Sequence, residues 1–591
     1  MSSPSRRRFL AKAAGGLVAT GLPATPAAAA AGVDTETLPR IGMKPVARDK
    51  RAAASSSHPI VTRTMLDVLR AGGNAADAVV AGSLMSATVE PHMTNHGGCV
   101  TCLYWDAKTQ RPYALNSTGT IVPGLPPFRV YPPGLGGFAA AGRGAMGVIP
   151  GFVPGLGQVH RRFGSRPWAE LCQPSARLAE EGHPVHGFEY LELESDKPST
   201  TYLPEGRELF MPGGFLPQVG DRFRNPALAR TMERLGAEGP DYFTTGEWGR
   251  KFVAEANRLG WRITQAHMTE VPPRWQEPLR YRIGNREVVQ LPPPEKTGAA
   301  SAFFLGLLEQ MEVGKLGAPA TSAESLYLVA HALRWVDWEI GRMQDPTLFD
   351  VPIDIWLSKE HQAHVAAIIK RGQPKIDLTE HVKLTAGRGA LAAAGMGVGE
   401  SPAGRPEPSL GSCELSVVDE QGNWAQVLNT MQTGGIPGAV VDGVPMTGSH
   451  VDFGLTSVIS GWLTGGGRVS LIAGNTFILA DGKPIVGLGT PGTPNRTVPQ
   501  VLANILFFGM DPYQASLQPR CWPLEDGYGL SIEARLPAEV VTGLARKGIQ
   551  VKPLAPYEWR TGSFQVCWRD PASGRVNAST DPRRAGWADG I

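Results

Sequence analysis

Apolar positions run almost unbroken from Ala75 to Thr88, where Ala, Val, Leu and Met dominate and Asp77 is the single charge. A helix that is apolar on every side is a buried one, and this stretch predicts a helix packed against a sheet. Asn74 supplies an N-cap and Asp77 stands at N3, a variant of the capping box. Glu90-Pro91-His92 ends the helix, and the Gly-containing run Gly97 to Trp105 reads as a strand. Thr321-Ser322-Ala323-Glu324 opens a second helix by the same logic, running to about Met343 with Tyr327, Trp335 and Trp338 along it. His331 within it reads as a packed or surface residue rather than a ligand. Asp345 to Ile369 reads as turn, loop and helix.

The pattern changes after residue 411. Ser412 to Asp419, a turn at Glu420-Gln421-Gly422-Asn423, and Trp424 to Met431 read as a hairpin. Short strands and turns follow, with helices near Val498 to Phe508 and Ala534 to Lys547. Helix-rich sequence before the hairpin and strand-rich sequence after it predict one interleaved α+β domain. No internal repeat is present. The segment Gly395 to Gly411, just upstream, is loop-like, punctuated by Gly395, Gly397, Gly399, Pro402, Gly404, Pro406 and Pro408.

Composition narrows the class. The 591 residues are 42% hydrophobic and 19% charged, enough for a sizeable core. The 72 glycines and 51 prolines follow no period, which excludes collagen and points to long, defined loops. At the start, Ser5-Arg6-Arg7-Arg8-Phe9-Leu10-Ala11-Lys12 is a twin-arginine pattern, followed by a weakly apolar run and a small-residue site near Ala28 to Ala31. Residues 1–31 therefore read as a removed export signal, with a periplasmic or secreted destination. Removing its four cations takes the formal charge from +3 to −1. The remaining chain is near neutral, so charge gives no argument for nucleic-acid binding. No later apolar run is long enough to span a bilayer.

Three local motifs are set aside on physical grounds. Cys99-Val100-Thr101-Cys102 fits C-x-x-C, but residues three apart on a strand face opposite ways and cannot bridge or share a metal. Six cysteines in so long a chain make no disulfide scaffold. Gly142-Arg143-Gly144-Ala145-Met146-Gly147 fits G-x-G-x-x-G, yet Pro132 and Pro133 precede it and Pro150-Gly151 follows, so it reads as a loop. His92 and His96 are four apart, but Pro91 and Gly97-Gly98 argue against a zinc helix. No metal and no organic cofactor are implied.

The hairpin carries the candidate chemistry. A strand that starts with a hydroxyl after a cleavable loop suggests a buried nucleophile. A cut at Gly411–Ser412 would leave Ser412 with both a hydroxyl and a free α-amine, and the amine could serve as base for its own side chain. That is the activation logic of N-terminal-nucleophile hydrolases. A cut at Ser412–Cys413 would instead expose a thiol. Strand register favours Ser412, because a one-residue slip turns the side chain to the other face.

The chain after its signal resembles the gamma-glutamyltranspeptidase (gamma-glutamyltransferase) family. The matches are collinear: Gly72-Gly73-Asn74-Ala75-Ala76-Asp77-Ala78, Glu90-Pro91-His92, Pro150-Gly151 through Gly155, and Trp168 through Gly182. Pro292-Pro293-Pro294, Asp345-Pro346, Leu357-Ser358-Lys359-Glu360, Ser416-Val417-Val418-Asp419, Gly489-Thr490-Pro491-Gly492, Gly509-Met510-Asp511-Pro512 and Asp581-Pro582-Arg583-Arg584 complete the order. The resemblance implies a four-layer αββα sandwich. It also implies a precursor that cuts itself into a large subunit, residues 32–411, and a small one, 412–591, which stay together. The family's nucleophile, usually Thr, falls at Ser412. Thr430 falls where the family has a threonine that supports the nucleophile, and Gly492 in the turn that forms the oxyanion hole. A second glycine is missing there, and Thr493-Pro494 follows instead; proline has no N–H to donate.

The departures bear on the substrate. The family's carboxylate-binding arginine falls at Gly119, within Leu115-Asn116-Ser117-Thr118-Gly119-Thr120, and its serine pair falls at Leu471-Ile472. An asparagine that contacts the glutamyl head falls at Gln432. The acid that pairs with the α-amine is kept as Asp452. A carboxylate held beside Leu471 and Ile472 without a cation is costly, so a less charged amide is expected as substrate, and glutathione as a poor one. Asn116, Arg468 and Arg496 are the alternative anion contacts. Three readings follow: an exported, self-processing amide hydrolase or acyltransferase; a true gamma-glutamyltransferase with a rearranged carboxylate pocket; and a non-catalytic binding protein on the same scaffold.

Overall fold

The computed structural model describes residues 41–121, 148–259, 261–340, 343, 345–372, 411–431, 438–446, 466–468, 472–523 and 529–591. The 1–31 segment, the Gly142–Gly147 motif and the loop 395–410 lie outside them.

Two seven-stranded sheets organise the chain. One has the order Trp587–Gly590, Ala53–Ser56, Cys413–Val418, Trp424–Thr430, Cys99–Asp106, Arg111–Ser117, Arg274–Gln276. The other has the order Ala47–Lys50, Val576–Thr580, Gln565–Arg569, Lys483–Gly489, Thr476–Ala480, Arg286–Gln290, Leu279–Ile283. Neighbouring strands in both pair antiparallel. Each sheet combines strands from before and after residue 411.

Three apolar clusters define the layers. Between the sheets, Leu103, Trp105, Val418, Trp424 and Leu428 of the first meet Val289, Phe477, Leu479 and Cys567 of the second. On the outer face of the first sheet, Leu415, Val417, Val427 and Val100 pack under the helices Pro59–Arg70, Ala75–Val89 and Phe152–Phe163. On the outer face of the second, Ile478, Leu488 and Val566 pack under Lys296–Gln310, Ala323–Ile340 and Pro494–Leu506. The result is an α+β fold with the layer order helix, sheet, sheet, helix. Each sheet is covered on both faces, so its central strands are buried almost throughout, polar residues included.

The elements bear comparison with the expected ones. Ala75–Val89 is a helix with every residue buried, and Asn74 and Asp77 form the reciprocal capping box. Asp77 does more than cap: its carboxylate also accepts from the Ser165 and Arg166 backbone. Cys99–Asp106 is the expected strand, and all six cysteines are free and buried. The hairpin spans Cys413–Val418 and Trp424–Thr430. Two helix starts differ: Pro494–Leu506 begins earlier because Pro494 suits the first helical turn, and Ala538–Arg546 begins later because Pro537 is its N-cap. Among the described residues most helices precede residue 411, as expected, and seven of the fourteen strands of the two sheets precede it too. Ala53–Ser56 is short and buried on both faces, so it lacks the two-residue alternation that signals a strand.

Candidate active site

The site is built on the hairpin. Cys413 pairs with Asn429 and Glu414 with Leu428, so the ladder, continued by one step, sets Ser412 opposite Thr430. Alternation then sorts the side chains. Cys413, Leu415 and Val417 point to the helical side, while Glu414, Ser416 and Val418 point between the sheets. Ser412 shares the parity of Glu414.

At the strand's start, three groups form a short polar chain. The Ser412 Oγ lies 2.9 Å from the Thr430 Oγ1 and within hydrogen-bond reach of the Gly411 carbonyl oxygen. The Thr430 hydroxyl donates to that same carbonyl at 2.9 Å. The carbonyl of the Gly411–Ser412 peptide is therefore polarised by one hydroxyl while a second stands beside it. Gly411 is buried and Ser412 half-buried.

Cys413 has a different setting. Its thiol is fully buried on the helical side with Met93, Phe188 and Ala585. Burial, with the nearby Glu90 carboxyl, pushes the thiol well above its usual range. Such a group stays protonated, whereas attack requires the thiolate.

A buried polar network extends from Ser412 between the sheets. Glu414 accepts from the Asn475 amide at 3.3 Å, and Thr101 donates to the Asn475 carbonyl at 2.7 Å. Thr101 faces Asn116 across its strand pair, and the Asn116 amide donates to Glu295 at 3.2 Å. Burial raises both carboxyls well above the usual carboxylate range, which favours the neutral acid, while Lys296 draws Glu295 partly back. The same burial lowers Lys296 to about 8. This network was missed in the sequence. Its signal was Glu414 itself, a charged residue two positions from Ser412 in an otherwise apolar strand.

The other expected residues divide. Gln432, Asp452 and Leu471 lie outside the described residues. Ile472 is described: it is half-buried and directly precedes Ala473 of the inter-sheet core. Gly492 takes φ +88°, in the turn after Gly489, whose Cα packs on the Glu414 side chain. Gly119 takes φ +79°, and a Cβ there would stand 2.7 Å from the Ile149 carbonyl oxygen. Any side chain at 119 is thus excluded by the backbone, an arginine included. Asn116 is committed to Glu295 and Thr118. Arg496 pairs with Asp337 at 2.9 Å. Arg468 is buried beside Thr120, to which it forms an isolated β-bridge, and its guanidinium donates to the Pro272 carbonyl. His331 packs edge-on against Tyr327 at 4.4 Å between ring centroids. His92 and His96 are both buried, and burial lowers each to about 3. Among the described residues, no three His, Cys, Asp or Glu side chains are placed to share a metal ion, and no helix is long and apolar enough to cross a membrane.

Comparison with known proteins decides the family. The gamma-glutamyltranspeptidase model matches residues 62–591. The chain belongs to the gamma-glutamyltranspeptidase family. It is therefore an enzyme of the N-terminal-nucleophile hydrolase and transferase class. It is 26% identical over 549 residues to a glutathione hydrolase proenzyme of Pseudomonas aeruginosa, covering 88% of this chain and 91% of that one. It is equally similar, 26% over 530 residues, to an acylase ACY 1 proenzyme of Pseudomonas sp. (strain SE83), covering 86% of this chain and 88% of that one. The cephalosporin acylase of Bacillus halodurans has the same fold, with a TM-score of 0.75 at 21% identity over 95% of this chain and 99% of that one. The family thus includes both glutathione hydrolases and acylases at similar distance from this chain.

Proposed function

We propose that Ser412 is the nucleophile, released when the chain cuts itself between Gly411 and Ser412. The observation that carries this is the triangle of the Ser412 hydroxyl, the Thr430 hydroxyl and the Gly411 carbonyl. In the precursor, the Ser412 Oγ attacks the Gly411 carbonyl carbon and Thr430 supports the charge that develops on its oxygen. The amide becomes an ester, and water hydrolyses it to free the Ser412 amine. In turnover, that amine takes the Ser412 proton, the hydroxyl attacks an amide, and the amine of the substrate leaves. Water or an acceptor amine then takes the acyl group from Ser412. Backbone N–H groups of the Gly492 turn would hold the oxyanion. The relatives named as proenzymes support the processing step.

The acyl donor is a less charged amide than the gamma-glutamyl group. The backbone at Gly119 and the buried acids Glu414 and Glu295 support this, since neither offers a cation to a carboxylate. A second reading, a gamma-glutamyl donor held in a rearranged pocket, is favoured by one observation: a buried arginine, Arg468, whose backbone bridges to Thr120 in the stretch after Gly119. A panel of acyl anilides separates the two. Neutral acyl groups turned over at least tenfold faster than the gamma-glutamyl anilide support the first reading, and the reverse order supports the second. Two bands on a denaturing gel, corresponding to residues 32–411 and 412–591, report processing. A single band that persists and shows no turnover leaves the binding-protein reading. An export signal in residues 1–31 would carry the enzyme outside the cytoplasm, which cell fractionation tests.

A further inference from the structure

Two glycines let the sheets meet closely over the hairpin. Facing sheets ordinarily stand about 10 Å apart, with side chains filling the gap. On the strand Lys483–Gly489, Gly487 and Gly489 leave their places on the inner face empty, and polar side chains of the hairpin take them. A Cβ on Gly487 would stand 2.6 Å from the Gln426 Nε2. One on Gly489 would stand 2.0 Å from the Glu414 Oε1 and 2.3 Å from its Cδ. Both side chains are fully buried. Gln426 pairs with Ser416 and Glu414 with Leu428, so the two contacts fall on successive same-face rows of the hairpin. The next such row is Ser412 and Thr430. Two residues along one strand thus match two along the other, and the same step carries the turn 490–492 to the row of Ser412. That turn is also hemmed in from its own side. A Cβ on Gly474 would stand 2.5 Å from the Thr490 nitrogen, and one on Gly562 2.5 Å from the Pro491 carbonyl oxygen. Neither the processing step nor the acyl transfer described above uses Glu414.

We propose that Glu414 is a positioning residue that sets the reach between Ser412 and the oxyanion turn at Gly492. This rests on the readings of Ser412 as nucleophile and of that turn as the oxyanion hole. The Glu414 side chain leaves the nucleophile strand two residues after Ser412, on the same face, and ends against Gly489, three residues before Gly492. It is the spacer between the strand that carries the hydroxyl and the strand that leads to the donors. Asn475 fixes its end: the amide donates to Oε1 at 3.3 Å, and Thr101 donates to the Asn475 carbonyl at 2.7 Å. The other oxygen, Oε2, makes no hydrogen bond, so the site uses the length and shape of this side chain rather than its charge. Oxyanion donors act only at hydrogen-bond distance from where the charge develops, so that length matters in the transition state.

The test uses the full chain. Glu414→Gln keeps the length and the acceptor and removes the acid. Glu414→Asp keeps the acid and draws it back by about 1.5 Å, one carbon–carbon bond. Gly489→Ala pushes from the other side, and Glu414→Asp combined with Gly489→Ala gives the added methyl room. Turnover is read with the fastest anilide of the acyl panel, and processing from the denaturing gel. A misplacement of about 1 Å can cost about a hundredfold in rate. We expect kcat to fall by at least about tenfold in Glu414→Asp and in Gly489→Ala, with KM within about threefold of wild type. Glu414→Gln should stay within about threefold in both. The double variant should lose less than Gly489→Ala alone, the mark of two residues in contact. Processing, supported by Thr430 rather than by the turn, should stay near wild type in all four. The proposal is overturned if Glu414→Asp turns over like wild type, if Glu414→Gln loses as much as Glu414→Asp, if the losses multiply in the double variant, or if Glu414→Asp no longer processes. A Gly489→Ala chain that fails to fold leaves the Gln and Asp pair decisive, since both keep the glycine. Wild-type turnover in Gly489→Ala would overturn the reading of the turn itself, and the proposal with it. Normal processing in Ser412→Ala would instead overturn the assignment of Ser412.

Discussion

Ser412 and Thr430 stand opposite each other at the open end of an antiparallel pair, their hydroxyl oxygens 2.9 Å apart, and Thr430 also reaches the carbonyl of Gly411. A threonine at 430 thus serves the peptide before Ser412 as well as Ser412 itself. Thr430→Val keeps the shape and removes the hydroxyl. We expect processing to slow by about a hundredfold to a thousandfold, the usual range for losing one donor to a developing oxyanion. Ser412→Thr should still process. Both are read from the appearance of the small chain on a denaturing gel. Wild-type processing in Thr430→Val would remove Thr430 from the step.

Acid stability should depend on a group of buried histidines near Glu90. His58 and His186 cap the helices Pro59–Arg70 and Gly187–Thr200 through their Nδ1 atoms, and their ring centroids are 5.3 Å apart. Burial lowers His186 to about 4 and His58 well below its usual value, with neighbouring histidines pushing His58 further down. A lowered folded-state value means that the unfolded chain takes up the proton first. The stability held by the neutral ring is complete above about pH 6.5 and is lost as pH falls below it. The raised carboxyls Glu90, Glu295 and Glu414 act with the opposite sign, so a variant must isolate the ring. His186→Asn keeps a capping oxygen and cannot titrate. Between pH 7 and pH 5, wild type should lose about 2 kcal/mol relative to His186→Asn in urea unfolding. Parallel pH curves would refute this.

The terminal Asp581-Pro582-Arg583-Arg584 stretch is structural. Arg583 is fully buried and bonds Glu533 at 2.6 Å and Asp581 at 3.1 Å, and Arg520 pairs with the same Asp581. Removing one member strands the others without water. Arg583→Met should cost about 3–5 kcal/mol, measured as a lower urea midpoint. A cost below about 1 kcal/mol would show that the remaining pair compensates.

Gly119 is fixed by its backbone rather than by the ligand. Gly119→Ala adds a Cβ 2.7 Å from the Ile149 carbonyl at φ +79°. Gly482 has φ +74° with open space around it, so Gly482→Ala reports the dihedral cost alone. We expect Gly119→Ala to destabilise by about 1–3 kcal/mol more than Gly482→Ala. Equal costs would mean that the strand ends can part freely.

Most of the architecture was legible because a few stretches carry strong local signals. The helix Ala75–Val89 shows its cap and its burial in the sequence, and the hairpin shows its turn at Gly422-Asn423. The strands Ala53–Ser56, Arg111–Ser117 and Arg286–Gln290 were not legible. They are short, and Ala53–Ser56 and Arg286–Gln290 each pair with a strand far away in sequence. For the site, parity within Ser412-Cys413-Glu414 could be read in advance. That burial raises the Glu414 carboxyl and that a Cβ at 119 has no room are set by what packs from elsewhere.

The mixing of early and late strands in both sheets has a consequence for any chain cut before Ser412. The two fragments would be laced together, with Ala53–Ser56 held between Trp587–Gly590 and Cys413–Val418. Dilution would not part them, since neither has a complete sheet of its own to retreat to. Heat or urea that did part them would leave a bimolecular search in place of a continuous thread. Cutting would thus make the enzyme hard to take apart and harder still to put back together.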